Sequence, residues 1–210
     1  MPAKGKITYI CSSCGAKHPK WTGQCNECGI WNSLSETKIA HPSNFIHDVD
    51  RADSVAIDLS SIQVARIARM STGSGEFDRV LGGGFVEGAV TLLGGEPGIG
   101  KSTLALQCAG SLSVADLVLY TTGEESLQQL ALRASRTKIE SSNIKTIATS
   151  ELETVLHVAK STAPNLVVID SIQTMLSTEQ ESAPGSISQV RACADRLVRF
   201  AKSTSTAILM

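Results

Sequence analysis

AVTLLGGEPGIGKSTL, residues 89–104, is the stretch that decides the fold. Its apolar start suits a strand, its glycines then force a tight turn, and Lys101-Ser102-Thr103-Leu104 opens a helix. Within it, Gly95-Glu96-Pro97-Gly98-Ile99-Gly100-Lys101-Ser102 fits G-x-x-x-x-G-K-[ST] at each fixed position. The glycines let successive backbone N–H groups converge on phosphate oxygens, and the helix N-terminus adds the positive end of its dipole. Lys101 can reach the β- and γ-phosphates, and the Ser102 hydroxyl can ligate magnesium. With Thr103 as a second hydroxyl behind it, the segment 95–103 is expected to bind a nucleoside triphosphate. A chance glycine-rich turn would not also carry a strand before it and a helix after it.

Outward from this loop, strand and helix patterns alternate. Leu104, Cys108 and Leu112 share a helix face, and residues 117–121 read as a buried strand ending at Gly123-Glu124-Glu125. Leu127, Leu130, Ala131 and Ala134 mark the next helix, residues 145–148 a shorter strand, and Leu152, Val155, Leu156 and Ala159 another helix face. Residues 166–169 form a third apolar strand that ends at Asp170. A long helix over about 185–202 is expected to turn Ile187, Val190, Ala194, Leu197, Val198 and Ala201 inward. This succession predicts an α/β domain with a parallel sheet covered on both faces. Ligands of such sheets sit at the carboxyl ends of the strands, where the phosphate loop, Glu124 and Asp170 all fall. Asp170 has the position of the magnesium-holding aspartate that accompanies such loops. Glu124 is assigned as the base that activates water, and Glu125 as an acidic residue of the next helix's first turn. Upstream, residues 71–84 read as a short helix stopped by Gly82-Gly83-Gly84. The terminal run 207–210 reads as a domain interrupted in mid-strand rather than as an edge strand.

A second unit precedes this one. Cys11-Ser12-Ser13-Cys14-Gly15 and Cys25-Asn26-Glu27-Cys28-Gly29 are two C-x-x-C-G knuckles. Facing each other, Cys11, Cys14, Cys25 and Cys28 would form a tetrahedral sulfur cage suited to zinc, with iron a chemical alternative. Bound metal would supply the folding free energy that so small a core lacks. Trp21 and Trp31 are expected to cap the metal loops by packing rather than by stacking on bases, and His18 to be a surface residue because four cysteines already fill the shell. Cys108 and Cys193, on helices, read as small buried apolar groups. Residues 34–66 read as a linker, with Ile57, Leu59, Ile62 and Val64 as a lead-in to the larger domain.

Composition excludes little beyond this. The 210 residues carry a formal charge of −1, so no global field points to nucleic acid. Lys4, Lys6, Lys17 and Lys20 against Glu27 give residues 1–34 a formal +3, most of which a tetrathiolate–metal cage would cancel. No apolar run reaches the ~20 residues of a spanning helix, and no signal-peptide core precedes Cys11. A cytoplasmic location without membrane contact is expected, with the six cysteines as thiols or metal ligands.

YTTGEES at 120–126, with Gln129, Leu130 and Arg133 downstream, resembles the RecA-type ATPase core shared with KaiC and DnaB-type helicases. Together with KWTGQCNECGIWN at 20–32, STGSGEFDRVLGGG at 71–84, GGEPGIGKST at 94–103 and VIDSIQT at 168–174, the chain resembles the bacterial RadA (Sms) DNA-repair family over nearly its whole length. The resemblance implies a RecA-like P-loop core over 67–210, incomplete at its C-terminus, behind a rubredoxin-like four-cysteine zinc ribbon over 1–33 and a linker over 34–66. It implies a DNA-dependent ATPase of recombinational repair using ATP, Mg2+ and structural Zn2+. Catalysis would fall to Lys101, Glu124 and Asp170, with magnesium held by Ser102 and Asp170. Single-stranded and branched DNA, a ring hexamer, a recombinase partner and branch migration of recombination intermediates belong to the same expectation. Family members continue beyond this length with a sensor segment, a Lys-Asn-Arg-Phe-Gly motif and a Lon-like domain. The segment 177–186 would lie where RecA-type proteins place a DNA-facing loop, but it carries Glu179 and Glu181 and no basic residue. Phosphate contacts would then come from the ribbon, from the missing part, or from Arg191, Arg196, Arg199 and Lys202. Alternatively, Arg191-Asp195-Arg199 is an i,i+4 ion-pair series. Two other functions share these features: a KaiC-like signalling ATPase, and a zinc-ribbon adaptor switched by nucleotide without hydrolysis.

Overall fold

A computed structural model describes residues 7–38, 58–61, 68–112, 114–139, 143–180 and 182–210. These fall into two compact units, one within 1–66 and one within 67–210.

In the first unit, β1 (Ile7–Cys11) pairs antiparallel with β2 (Lys17–His18) on one side and β3 (Leu34–Lys38) on the other. β3 lies inside the segment expected to be linker. Its sequence, LSETK, has one apolar residue, so only its five-residue register with β1 marks it as strand. The two knuckles turn alike: Gly15 N–H donates to Cys11 O and Gly29 N–H to Cys25 O, each at 2.8 Å. Two expectations fail here. Trp21 and Trp31 are 54% and 69% exposed, because the four cysteines and Leu34 already make up the small interior. His18 is buried instead, drawn in because it ends β2 opposite Tyr9 and beside Cys25. Of the lead-in residues, Ile57, Ile62 and Val64 lie outside the described residues, while Leu59–Ser61 form one 3-10 turn.

The second unit begins with β4 (Arg69–Met70), α1 (Gly75–Leu81) and β5 (Phe85–Val86). Ser74 caps α1 by accepting from Phe77 N–H, and left-handed Gly82 ends it. Then follow β6 (Val90–Thr91), α2 (Lys101–Leu112), β7 (Val118–Thr122), α3 (Leu127–Arg136), β8 (Ile144–Ala148), α4 (Leu152–Thr162), β9 (Leu166–Asp170), α5 (Ile187–Thr204) and β10 (Ala207–Leu209). The strands run parallel in the order β6-β10-β9-β7-β8.

Alternation along the strands assigns each face a helix layer. Val118, Tyr120, Leu166, Val168, Ala207 and Leu209 meet α2 through Ala105, Leu106, Ala109 and Leu112. Leu119, Val167, Ile169 and Ile208 meet α4 and α5 through Leu152, Val155, Ala159, Cys193, Leu197 and Phe200. Burying both faces makes the strands read as unbroken apolar runs. No helix among the described residues is long and apolar enough to cross a membrane.

As expected, the terminal run is no edge strand: β10 lies between β6 and β9, and its three residues are fully buried. One sequence expectation changes. The buried face of α5 is Gln189, Cys193, Leu197, Phe200 and Ala201, while Ile187 is exposed. The cause is Gln189, whose amide donates to the carbonyls of Gln180 and Ser182 at 3.0 and 3.2 Å and so turns toward the preceding loop.

Candidate functional site

The phosphate loop leaves β6 and enters α2, with residues 94–100 exposed. Gly98 and Gly100 take φ of 80° and 107°, a region costly for any side chain. Lys101 Nζ donates to the carbonyls of Gly95 and Glu96, both at 2.8 Å. The ammonium is thus held inside the curl, where phosphate oxygens would replace those carbonyls as its acceptors.

Because α2 packs across β7 and β9, its first turn is carried over the ends of those strands. Ser102 Oγ donates to Asp170 Oδ1 at 2.8 Å, joining residues far apart in sequence. This pair of hard oxygens fits a magnesium ion, which takes few protein ligands and keeps water and phosphate as the others. Asp170 Oδ2 accepts from the Tyr120 hydroxyl at 2.7 Å. Burial pushes the Tyr120 phenol far up, and the charge of Asp170 adds to the effect against the opposing pull of Arg133, so Tyr120 stays a neutral donor.

Thr122 and Asp170 are register partners at the ends of β7 and β9, so the segment after β7 emerges beside Asp170. Glu124 is exposed and accepts from Ser171 Oγ at 2.8 Å. Glu125 does not serve the first turn of α3 as expected. Ser126 is the N-cap, completing a capping box with Gln129, and no acidic residue lies in that turn. Glu125 instead forms an ion pair with Arg133, whose Nη1 lies 3.6 Å from Asp170 Oδ2. Tyr120, Ser171 and the role of Arg133 escaped sequence reading. Tyr120 reads as one more residue of a buried strand, and Arg133 enters only as part of the motif that carries the resemblance.

The segment expected to face DNA is tied down at its root. Gln189 accepts from Ser177 N–H, and Arg196 pairs with Glu153 and donates to Ser177 Oγ at 3.0 Å. Arg196 is therefore engaged inside the domain. Among the described ion pairs, none joins Asp195 to Arg191 or Arg199; Arg199 Nε donates to the Asp195 carbonyl instead, at 3.4 Å.

In the ribbon, the sulfurs of Cys11, Cys14, Cys25 and Cys28 all lie within 4.8 Å of one another. Cys11 Sγ and Cys28 Sγ are 3.6 Å apart, as are Cys14 Sγ and Cys25 Sγ. Backbone N–H groups of Cys28 and Glu27 bring the Cys25 thiol down to about 6 against the effect of burial, with His18 Nε2 at 3.4 Å assisting. Although the Ala16 N–H favours its thiolate, desolvation and the three neighbouring sulfurs push Cys14 up to about 12. Four sulfurs this close ionise together only around a cation, and a closed set of four thiolates fits structural zinc.

Comparison with known proteins gives two family matches: one described as an AAA domain over residues 76–210, and one as a rubredoxin metal binding domain over 9–36. The chain is 45% identical to the DNA repair protein RadA of Pseudomonas aeruginosa over 99% of its own length and 46% of that protein. Identity to the RadA proteins of Escherichia coli and Bacillus subtilis is 43% and 42%, covering 47% and 46% of those proteins. The chain thus spans about half the length of the curated relatives it matches. Among solved structures, a KaiC-like protein from Pyrococcus horikoshii superposes with a TM-score of 0.56 at 21% identity. That match covers 68% of this chain and 70% of the other, and it shows the fold.

Proposed function

Since the chain belongs to the AAA-domain family of P-loop ATPases, we propose that residues 67–210 form the ATP-hydrolysing core of a DNA-repair ATPase, carried behind a zinc ribbon. The observation that carries this is the Ser102 Oγ to Asp170 Oδ1 contact of 2.8 Å, with Glu124 one hydrogen bond from Ser171, the neighbour of Asp170. It unites the phosphate loop with two carboxylates at the ends of adjacent parallel strands.

In this mechanism residues 95–103 wrap the phosphates with backbone N–H groups. Lys101 exchanges its two carbonyl acceptors for phosphate oxygens and neutralises charge that develops on them. Ser102 and Asp170 would hold magnesium, which would supply positive charge against the charge that develops on the phosphates. Glu124, exposed at the mouth, orients a water molecule and takes its proton. Glu125, paired with Arg133, is not available for that task.

The similarity to RadA supports single-stranded and branched DNA as the polymer acted on, branch migration as the work done, and a ring homo-oligomer with a recombinase partner as its setting. The test is ATP turnover by the full-length protein with and without single-stranded DNA. Stimulation by DNA is expected. Lys101→Ala should lose nucleotide binding, whereas Glu124→Gln should keep binding and lose turnover by ~10²-fold or more. Turnover indifferent to DNA would instead favour a KaiC-like signalling role, and unchanged phosphate release from Glu124→Gln would remove Glu124 from the chemistry.

A further inference from the structure

Behind the proposed magnesium pair stands a layer of side chains to which the chemistry above gives no work. Asp170 divides its two oxygens between two surroundings. Oδ1 faces Ser102 at 2.8 Å, on the side of the phosphate loop. Oδ2 faces inward, where the hydroxyl of the fully buried Tyr120 donates to it at 2.7 Å and Arg133 Nη1 approaches to 3.6 Å. The other arm of the same guanidinium is paired with Glu125. Arg133 Nη1 is buried and has no hydrogen-bond partner, although an ionised fork at this depth ordinarily finds one. The anion that Nη1 approaches is Asp170, at 3.6 Å.

We propose that Tyr120 and Arg133 are positioning residues that hold Asp170 by its inner oxygen, Tyr120 fixing the carboxylate's orientation and Arg133 setting how strongly it attracts a divalent cation. This rests on residues 95–103, Ser102 and Asp170 being an ATP–magnesium site. The two residues act by different physics and so have opposite signs. Tyr120 contributes a neutral hydrogen bond. Without it the charge at the site is unchanged, but the carboxylate is free to rotate, and a cation must order it on binding. Arg133 contributes positive charge close to where the cation sits. Without it, that repulsion disappears and Glu125 is left as an unpaired anion, so the local potential becomes more attractive to a cation. Loss of general structural integrity would weaken cation binding in both variants.

The experiment titrates magnesium into the full chain in the presence of a fluorescent, non-hydrolysable ATP analogue, and repeats the titration with manganese followed by electron paramagnetic resonance. Tyr120→Phe should raise the magnesium midpoint roughly tenfold, the worth of one hydrogen bond to a charged group. Arg133→Gln should lower it several-fold. Arg133→Lys, which keeps the charge and loses the fork, should stay nearer to wild type than Arg133→Gln does. Analogue affinity measured in chelator should match wild type in each variant, which shows that the loop is intact. Shifts of the same sign for Tyr120→Phe and Arg133→Gln, or shifts under about twofold in both, overturn the proposal. If the wild-type chain binds no analogue at all, the ATP site itself is refuted, and that outcome is distinct from the first.

Discussion

Gly123 tests whether the spacing between the ends of β7 and β9 controls catalysis. Its backbone takes no left-handed angle, so alanine there carries no conformational penalty of its own. The contacts are another matter. A Cβ at Gly123 would lie 2.1 Å from Thr174 Oγ1, 2.9 Å from Thr174 Cβ and 3.2 Å from Met175 Cε. Rotating the Thr174 hydroxyl away would break its 2.8 Å bond to the Ser171 carbonyl and still leave the Cβ overlap. The 3-10 turn Ile172–Thr174 must therefore move by about 1 Å to restore ordinary contact. Ser171, which begins that turn, donates to Glu124, and Gly123 N–H donates to the Asp170 carbonyl at 3.0 Å, so both carboxylates shift with it. Gly123→Ala should cost ~1–3 kcal/mol of stability in urea unfolding, the usual penalty of overpacking. It should slow ATP turnover by up to ~10²-fold, as misplacement on this scale does. Adding Thr174→Gly removes both overlapping atoms and should recover most of the loss. If Gly123→Ala retains wild-type turnover and stays within ~0.5 kcal/mol of wild-type stability, the close packing at this junction does not govern the site.

Two further outcomes are expected. Stripping the ribbon with a strong chelator should release one metal ion per chain and make Cys11, Cys14, Cys25 and Cys28 reactive to iodoacetamide at pH 8. Cys108 and Cys193, whose thiols burial pushes up to about 11, should stay unmodified until the larger unit unfolds; mass spectrometry of the alkylated chain reads both. The second outcome concerns pH. Burial opposes ionisation of Glu153, yet its own N–H, that of Thr178 and the Arg196 guanidinium hold its carboxyl below the ordinary 4.5. A depressed folded value means that the stability it lends is complete above 4.5 and lost as pH falls through the folded value. Arg196→Met should flatten that acid limb and cost ~1–3 kcal/mol near neutrality, measured by urea unfolding across the range.

The features most legible in the sequence were those in which residue type and spacing state a local requirement. Gly95 to Ser102 specify a backbone curl, and the two C-x-x-C-G knuckles specify two turns. The runs 117–121 and 166–169 specify strands buried on both faces. What escaped depends on partners distant in the chain. Glu125 stands beside Glu124 in sequence, but Arg133, two helical turns into the following element, decides its role. His18 reads as a surface residue until β2 is paired with β1. Gln189 is not among the inward residues read for its helix until the carbonyls of Ser177, Gln180 and Ser182 gather around its amide. Residues 207–210 read as an interrupted strand, and nothing local could announce that 207–209 enter the middle of the sheet.

That placement has a consequence for the order of folding. Among the described residues, β6, which delivers the phosphate loop, is joined to the other strands by pairing with β10 alone. During synthesis the ribosome makes β6 early in this domain and β10 after every other strand described. Until residues 207–209 emerge, the sheet has a gap as wide as one strand between β6 and β9, and the edges of both are open. Closing that gap is a long-range, late event of the kind that slows folding and leaves edges open to wrong pairing. The strand that carries the phosphate loop thus joins the described sheet only when β10 arrives.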